Sequence, residues 1–97
     1  MNKQPCVYIL SNQKNGTLYV GVSSNLIQRI YQHKQKLVDG FSKKYGLDLL
    51  VWYEQHESMY EAIKKEKALK KWNREWKIRL IEEENPQWLD LYGSIIG

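Results

Sequence analysis

The stretch that decides the fold is CVYILSNQKNGTLYVGV, residues 6–22. It contains two β-prone runs, CVYIL at residues 6–10 and TLYVGV at residues 17–22, and SNQKNG lies between them. An Asn-Gly step between such runs is a strong hairpin signal, because both residues tolerate a positive φ. The stretch therefore predicts two antiparallel strands joined by a tight turn.

Working outward, the remaining sequence predicts helices and one more strand. The predicted helices lie at residues 25–37, 58–71 and 74–84. Side chains suited to N-caps precede them, and Pro86 prevents continuation of the last one. A third strand is predicted at residues 47–54, a loop at residues 38–46, and a short docking turn at residues 87–92, with a frayed end after Gly93. The order ββαβαα predicts an α+β fold in which a small three-stranded antiparallel sheet is flanked by helices, as a single domain over residues 1–97.

Composition narrows the class of protein further. The chain has 97 residues, a net charge of +4 and one cysteine, Cys6. A single cysteine excludes an internal disulfide and a cysteine-rich zinc site, which favours a reducing compartment. No apolar run approaches the roughly 18 residues that span a bilayer, and the N-terminal run does not read as a signal peptide. These features predict a cytoplasmic protein that has no membrane partner.

Glu66 interrupts an apolar stripe. The stripe of the helix at residues 58–71 consists of Met59, Ala62, Ile63 and Leu69. At 100° per residue, Glu66 falls near the centre of this stripe, whereas the neighbouring lysines point away from it. A buried carboxylate needs a partner. Glu66 is therefore either half of an ion pair with a neighbouring element or a metal ligand or catalytic carboxylate.

The helix at residues 25–37 carries a similar irregularity. Its inner line consists of Leu26, Ile30 and Leu37, and His33 lies on that line with Arg29 at its edge. Taken singly, His33 is more simply interpreted as a hydrogen-bonded interior histidine, and Arg29 as a surface residue whose stem packs over apolar neighbours. Together with Glu66 they suit phosphodiester chemistry, because a guanidinium holds phosphate bidentately, one carboxylate suffices for Mg²⁺, and an imidazole moves protons.

Basic residues concentrate near the end of the chain. Between residues 64 and 79 there are eight lysines and arginines but only two glutamates. Such a face attracts phosphates, although a solvated helix surface explains it equally well. Lys70 and Arg74 of this face, and Lys43 and Lys44 of the predicted loop, are the candidate contacts to nucleic acid.

The motifs resemble those of the GIY-YIG nuclease superfamily over about residues 4–92. VYIL at residues 7–10, LYVGV at residues 18–22, Arg29 with His33, and then Glu66 carry the resemblance. LKKWNREWKIRLIEEENPQWLDLY resembles the tail of small stand-alone bacterial members, which are similar to the endonuclease domain of an excision-repair subunit. Cys6 replaces the first motif glycine, which leaves the tyrosine chemistry intact.

The resemblance implies hydrolysis of DNA with one Mg²⁺ or Mn²⁺ held by Glu66. The catalytic positions that it implies are Tyr8, Tyr19, Arg29, His33, Glu66 and Asn85, with Asn73 as a lesser alternative to Asn85. Gly21 ends the second motif, where the missing side chain would leave room for the substrate to approach. Whether Tyr8, Tyr19 or His33 is the general base stays open.

Two functions from other classes compete with the nuclease. A non-catalytic module would bind nucleic acid through the basic face at residues 64–79 and through exposed aromatic residues. An adaptor would present residues 72–81 as an amphipathic helix to a protein partner. The sequence also leaves open the DNA structure that is cut, a role in repair or in recombination, and the oligomeric state.

Overall fold

The computed structural model describes residues 4–38 and 40–97, so Asp39 of the predicted loop lies outside the described residues. One antiparallel sheet contains β1 (Cys6–Ser11), β2 (Leu18–Ser23) and β3 (Leu49–Gln55) in the order β2-β1-β3. The helices are α1 (Leu26–Lys34), α2 (Phe41–Tyr45), α3 (Met59–Lys71), α4 (Arg74–Glu84) and α5 (Tyr92–Ile96). The predicted hairpin and the α+β class are confirmed. None of these described helices is long and apolar enough to cross a membrane.

The central strand β1 feeds two cores, because successive side chains of a strand point to opposite faces. Val7 and Ile9 join a core formed with α3 and α4, whereas Tyr8 and Leu10 join a core formed with α1 and α5. All six residues of β1 are buried. The phenol of Tyr8 is therefore delivered into the protein interior between the sheet and α1.

A β-bulge lies opposite β1 on the third strand. The partners of β1 skip from Trp52 to Leu50, so Val51 is an extra residue and both Val51 and Trp52 enter the core of α3 and α4. Asn85, the C-cap residue of α4, donates from Nδ2 to the Val51 carbonyl at 3.0 Å. This hydrogen bond joins the end of α4 to the bulge.

The C-terminal segment is ordered, and the expectation of a frayed end after Gly93 is wrong. Helix α5 begins at Tyr92 and packs on the core that includes α1. Just before it, the Leu91 amide donates to the Leu50 carbonyl at 2.8 Å, and the Leu50 amide donates to Asp90 Oδ1 at 3.2 Å. Asp90 also forms an ion pair with Lys34 of α1. These contacts attach the segment to both β3 and α1.

Two predicted boundaries also differ from the structure. Helix α1 ends at Lys34, before the backbone turns at Lys36 with a φ of 58°, and Leu37 is 68% exposed rather than on the inner line. The segment predicted as a loop at residues 38–46 contains the short helix α2. Gly46 ends it in the left-handed conformation at a φ of 65°, which glycine adopts without a steric cost.

Candidate active site

A chain of hydrogen bonds runs through the core from the central strand to α2. Tyr8 Oη lies 3.1 Å from His33 Nε2, and His33 Nδ1 lies 3.0 Å from Ser42 Oγ. The exposed fractions of these three residues are 2%, 5% and 5%. Since all three are buried, bulk solvent competes little for these hydrogen bonds, and both ring nitrogens of His33 have a protein partner.

Tyr19 completes an aromatic group around this histidine. Its ring centroid lies 5.7 Å from that of His33 and 6.4 Å from that of Tyr8. The two tyrosines come from adjacent strands, where Tyr8 is paired with Gly21. The structure thus brings Tyr8, Tyr19 and His33 together, as the sequence predicts for them.

Gly21 leaves room for the ring of Tyr8. A Cβ atom at position 21 would lie 2.5 Å from both Cζ and Oη of Tyr8, and 3.0 Å from Cε2 of Tyr19. The sequence-based interpretation assigns this space to an approaching substrate. In the structure the Tyr8 side chain fills it, so Gly21 acts first on the position of the phenol.

Charged side chains act on the buried phenol and imidazole. Burial, and to a smaller extent the Arg29 guanidinium, lower the pKa of His33 to about 4. Burial raises the pKa of Tyr8 well above its ordinary value; Tyr19 and the Glu66 carboxylate raise it too, and Arg29 opposes them. Both groups are therefore neutral at neutral pH. The charges of Arg29 and Glu66 both act on the Tyr8 phenol, which links these two predicted site residues to it electrostatically.

Glu66 occupies a largely buried position on α3, and this agrees with its predicted inward orientation. Its side chain is 15% exposed, and its Oε2 atom lies 3.3 Å from Nζ of Lys70, one turn along the same helix. The prediction of an ion pair between Glu66 and a neighbouring element is therefore wrong, because the cation that pairs with Glu66 lies on the same helix. The Lys70 side chain is 54% exposed, so this pair is weak and leaves the carboxylate open to another cation. Met59, predicted inside the stripe, is 36% exposed.

The donors near the phenol fit a hydrated magnesium or manganese ion. Within residues 4–38 and 40–97, no group of three or more His, Cys, Asp or Glu side chains could hold a metal ion. Zinc, which takes three or four protein ligands, is therefore a poor match. Mg²⁺ keeps several waters and binds through one or two carboxylates and substrate phosphates, and Mn²⁺ prefers the same oxygen ligands. Glu66 supplies one carboxylate of this kind.

Asn85 is held at the end of α4 by hydrogen bonds, and its catalytic role stays a prediction. Its Nδ2 donates to the carbonyls of Val51 and Leu89 at 3.0 and 2.9 Å, and its Oδ1 accepts from the Leu89 amide at 3.0 Å. Both hydrogens of the amide are thus used at the junction of α4 and β3, whereas the oxygen keeps one lone pair. Its lesser alternative, Asn73, is the N-cap of α4 and accepts from the Trp76 amide. Both asparagines have structural roles in this fold.

The candidate contacts to nucleic acid lie on several elements. Arg74 donates to the carbonyls of Asn15 and Gly16 at 2.6 and 2.7 Å, so it ties the hairpin turn to α4. Lys43 and Lys44 are exposed on α2. Their helix also carries Ser42, which sequence reasoning missed because five residues are too few to show a helical period.

The cysteine that replaces the first motif glycine has a packing role. Cys6 is fully buried in the core that contains Tyr8, and burial raises the pKa of its thiol. A thiol held in its protonated form is a poor nucleophile. The substitution therefore adds core volume and no second reactive group.

A three-stranded sheet with tyrosines on paired strands, an arginine and a histidine on α1, and a glutamate on α3 is the arrangement of the GIY-YIG class. A family model described as the GIY-YIG catalytic domain matches residues 4–79, and the chain belongs to this family. Nuclease action on DNA is the activity that the family implies.

Relatives with curated descriptions share the family. The chain is 32% identical over 77 residues to a UPF0213 protein of Staphylococcus aureus strain Mu3, a match that covers 79% of this chain and 93% of the relative. It is 60% identical over 35 residues to the UPF0213 protein in the VLF1-GP41 intergenic region of Autographa californica nuclear polyhedrosis virus. That second match covers 36% of this chain and only 33% of the viral protein. No solved structure matches the chain.

Proposed function

We propose that this protein is a divalent-metal-dependent endonuclease that hydrolyses phosphodiester bonds in DNA, in the cytoplasm and in the service of repair or recombination. The observation that carries the proposal is the buried hydrogen bond of 3.1 Å between Tyr8 and His33, within the field of Arg29 and Glu66. A phenol, an imidazole, a guanidinium and a carboxylate supply the proton acceptor, the phosphate clamp and the cation site that hydrolysis of a phosphodiester needs.

Tyr8 is the group that accepts the proton of the attacking water. Both nitrogens of His33 are already hydrogen-bonded, to Tyr8 and to Ser42, so neither has a lone pair left for a water. The Tyr8 oxygen can accept a proton from water while its own proton passes to His33 Nε2. The proposal thus assigns the base to Tyr8 and the proton acceptor behind it to His33.

The substrate makes this proton transfer favourable. In the free protein, burial and Arg29 hold the pKa of His33 at about 4, which opposes protonation of the imidazole. A bound phosphate brings negative charge and pairs with Arg29, so the pKa of His33 rises. The site is therefore active only when DNA is bound.

Hydrolysis replaces one P–O bond of the substrate by another. The water oxygen forms a new bond to phosphorus, the bridging P–O bond breaks, and the leaving oxygen takes a proton from solvent. Arg29 stabilises the charge that develops on the non-bridging oxygens. When bound at Glu66, Mg²⁺ or Mn²⁺ would act as a Lewis acid on the phosphate. His33 then returns its proton to Tyr8, which releases one to solvent.

Cleavage of end-labelled single-stranded, duplex and branched DNA, with Mg²⁺, with Mn²⁺ and with a chelator, tests this proposal. We expect cleavage that depends on metal, and losses of about 10²-fold or more in the rate for Tyr8→Phe and Glu66→Gln. Glu61→Gln, which changes an exposed carboxylate on the same helix, is the matched control and should keep the wild-type rate. DNA binding without cleavage under all these conditions would instead establish the non-catalytic module, and full cleavage by both variants would refute the assigned residues.

A further inference from the structure

We propose that Ser42 is a positioning residue, whose hydroxyl accepts from Nδ1–H of His33 and so stabilises the tautomer that can take the Tyr8 proton. The proposal rests on the function proposed above. It assigns a role to a residue that lies on α2, outside the strands and helices that carry the tyrosines, Arg29 and Glu66.

The role of the Ser42 hydroxyl follows from the number of protons on a neutral imidazole. Neutral histidine carries one N–H, so one ring nitrogen donates and the other accepts. If Nδ1 carries the proton and donates to Ser42 Oγ at 3.0 Å, then Nε2 is a bare acceptor for the Tyr8 hydroxyl at 3.1 Å. In the other tautomer, the Ser42 hydroxyl would donate to a bare Nδ1 and Nε2–H would donate to Tyr8, so the Tyr8 proton would have no acceptor at His33.

The position of Ser42 is fixed well enough for its hydroxyl to hold this hydrogen bond to His33. It is 5% exposed, and it is the buried residue of α2. Its carbonyl accepts the Leu47 amide at 2.9 Å, and the Lys44 amide on the next turn donates to the Gly40 carbonyl at 3.0 Å. The backbone around Ser42 is therefore fixed, and its hydroxyl stays within reach of Nδ1.

Removing the hydroxyl reverses the tautomer. In Ser42→Ala, an Nδ1–H group would be a buried donor without an acceptor, which is more costly than a buried lone pair. The ring then takes the tautomer in which Nε2–H donates to Tyr8. Ser42→Thr keeps a hydroxyl at the same place and should preserve the wild-type tautomer.

The test is a ¹⁵N NMR spectrum of histidine-labelled protein at pH 7.5, recorded without metal or DNA. The chain has two histidines, and a His56→Gln variant assigns the signals of His33. We expect wild-type protein and Ser42→Thr to show a protonated Nδ1 and a bare Nε2, and Ser42→Ala to show the reverse. Ser94→Ala, which removes an exposed hydroxyl on α5, is the matched control and should give the wild-type spectrum.

Kinetics supply the second readout. Ser42→Ala should lower kcat by about tenfold or more with little change in KM, because the hydroxyl acts on the proton acceptor and not on DNA, and Ser42→Thr should restore the rate. A wild-type spectrum with protonated Nε2 would overturn the proposal, whether or not the Ser42 variants fold. If the tautomers change as expected but wild-type protein cuts no DNA, the positioning role stands and the nuclease proposal fails. If wild-type protein cuts DNA and Ser42→Ala matches it in spectrum and kcat, the positioning role fails alone.

Discussion

Replacing Gly21 by alanine should damage both the stability and the activity of the protein, because Tyr8 occupies the space that a Cβ atom needs. The added atom would lie 2.5 Å from Cζ and Oη of Tyr8. Non-bonded carbon atoms are at their best separation at about 3.5–4.0 Å, so the phenol must move by about 1 Å. Tyr8 is 2% exposed, so its ring has no solvent-filled space to enter.

The size of the effect follows from this displacement. Overpacking a core costs about 1–3 kcal/mol, and each kcal/mol lowers the Tm of a domain of this size by about 4–8 °C. A shift of about 1 Å from the present 3.1 Å would also break the bond between Tyr8 Oη and His33 Nε2. Misplacing a catalytic group by about 1 Å can cost about 10²-fold in rate. We therefore expect a Tm lower by about 4–24 °C and a kcat lower by about 10²-fold.

Thermal unfolding followed by circular dichroism, together with kcat and KM on cleaved DNA, measures both effects. Gly93→Ala is the matched control, since no atom lies within 4 Å of its added Cβ, and it should keep the wild-type Tm or raise it slightly. A wild-type Tm and kcat for Gly21→Ala would refute the close contact with Tyr8. A higher KM alone would favour the interpretation that Gly21 leaves room for substrate.

Two further perturbations test other contacts. As the pH falls from 6.5, the ordinary pKa of histidine, to about 4, the unfolded chain gains a proton that buried His33 does not. Stability to urea should therefore fall by up to about 3 kcal/mol over that range, and a His33→Gln variant that keeps the wild-type pH slope would contradict this. Asn85→Ala loses hydrogen bonds to Val51 and Leu89, so it should lower the free energy of unfolding by about 2–4 kcal/mol, against about 1 kcal/mol for the N-cap variant Asn73→Ala. If Asn85→Ala keeps the wild-type urea midpoint but has a lower kcat, the result contradicts the structural role and supports a catalytic one.

Local signals in the sequence predict the sheet and the longer helices. The Asn-Gly step predicts the hairpin, and the structure places Asn15 at a φ of 58° in that turn. The capping pattern at Ser58 predicts the start of α3, where the Ser58 side chain accepts from the Glu61 amide. Helical spacing identifies Glu66 as an inward-facing carboxylate. Such features are predictable because they depend on neighbours in the chain.

The remaining features depend on distant partners or on short elements. Asn85 looks like a helix terminator or a catalytic residue in the sequence, and its role follows from a bulge on β3 that no pattern in the sequence marks. Helices α2 and α5 have five residues each, fewer than two turns, so they show no period. Ser42 was therefore missed, and the positions of Tyr8 and Tyr19 in the site followed from the family resemblance rather than from periodicity.

The attachment of the C-terminal segment to β3 has a consequence for where the molecule can be shortened. The match to the family model ends at residue 79. Beyond it, Asp90 accepts a hydrogen bond from the Leu50 amide, and the Leu91 amide donates one to the Leu50 carbonyl. These backbone groups lie on the outer edge of the sheet, and an uncovered edge of this kind recruits strands from other molecules. A chain cut at residue 79 would keep Tyr8, Tyr19, Arg29, His33 and Glu66, but it would uncover this edge of β3 and should therefore aggregate.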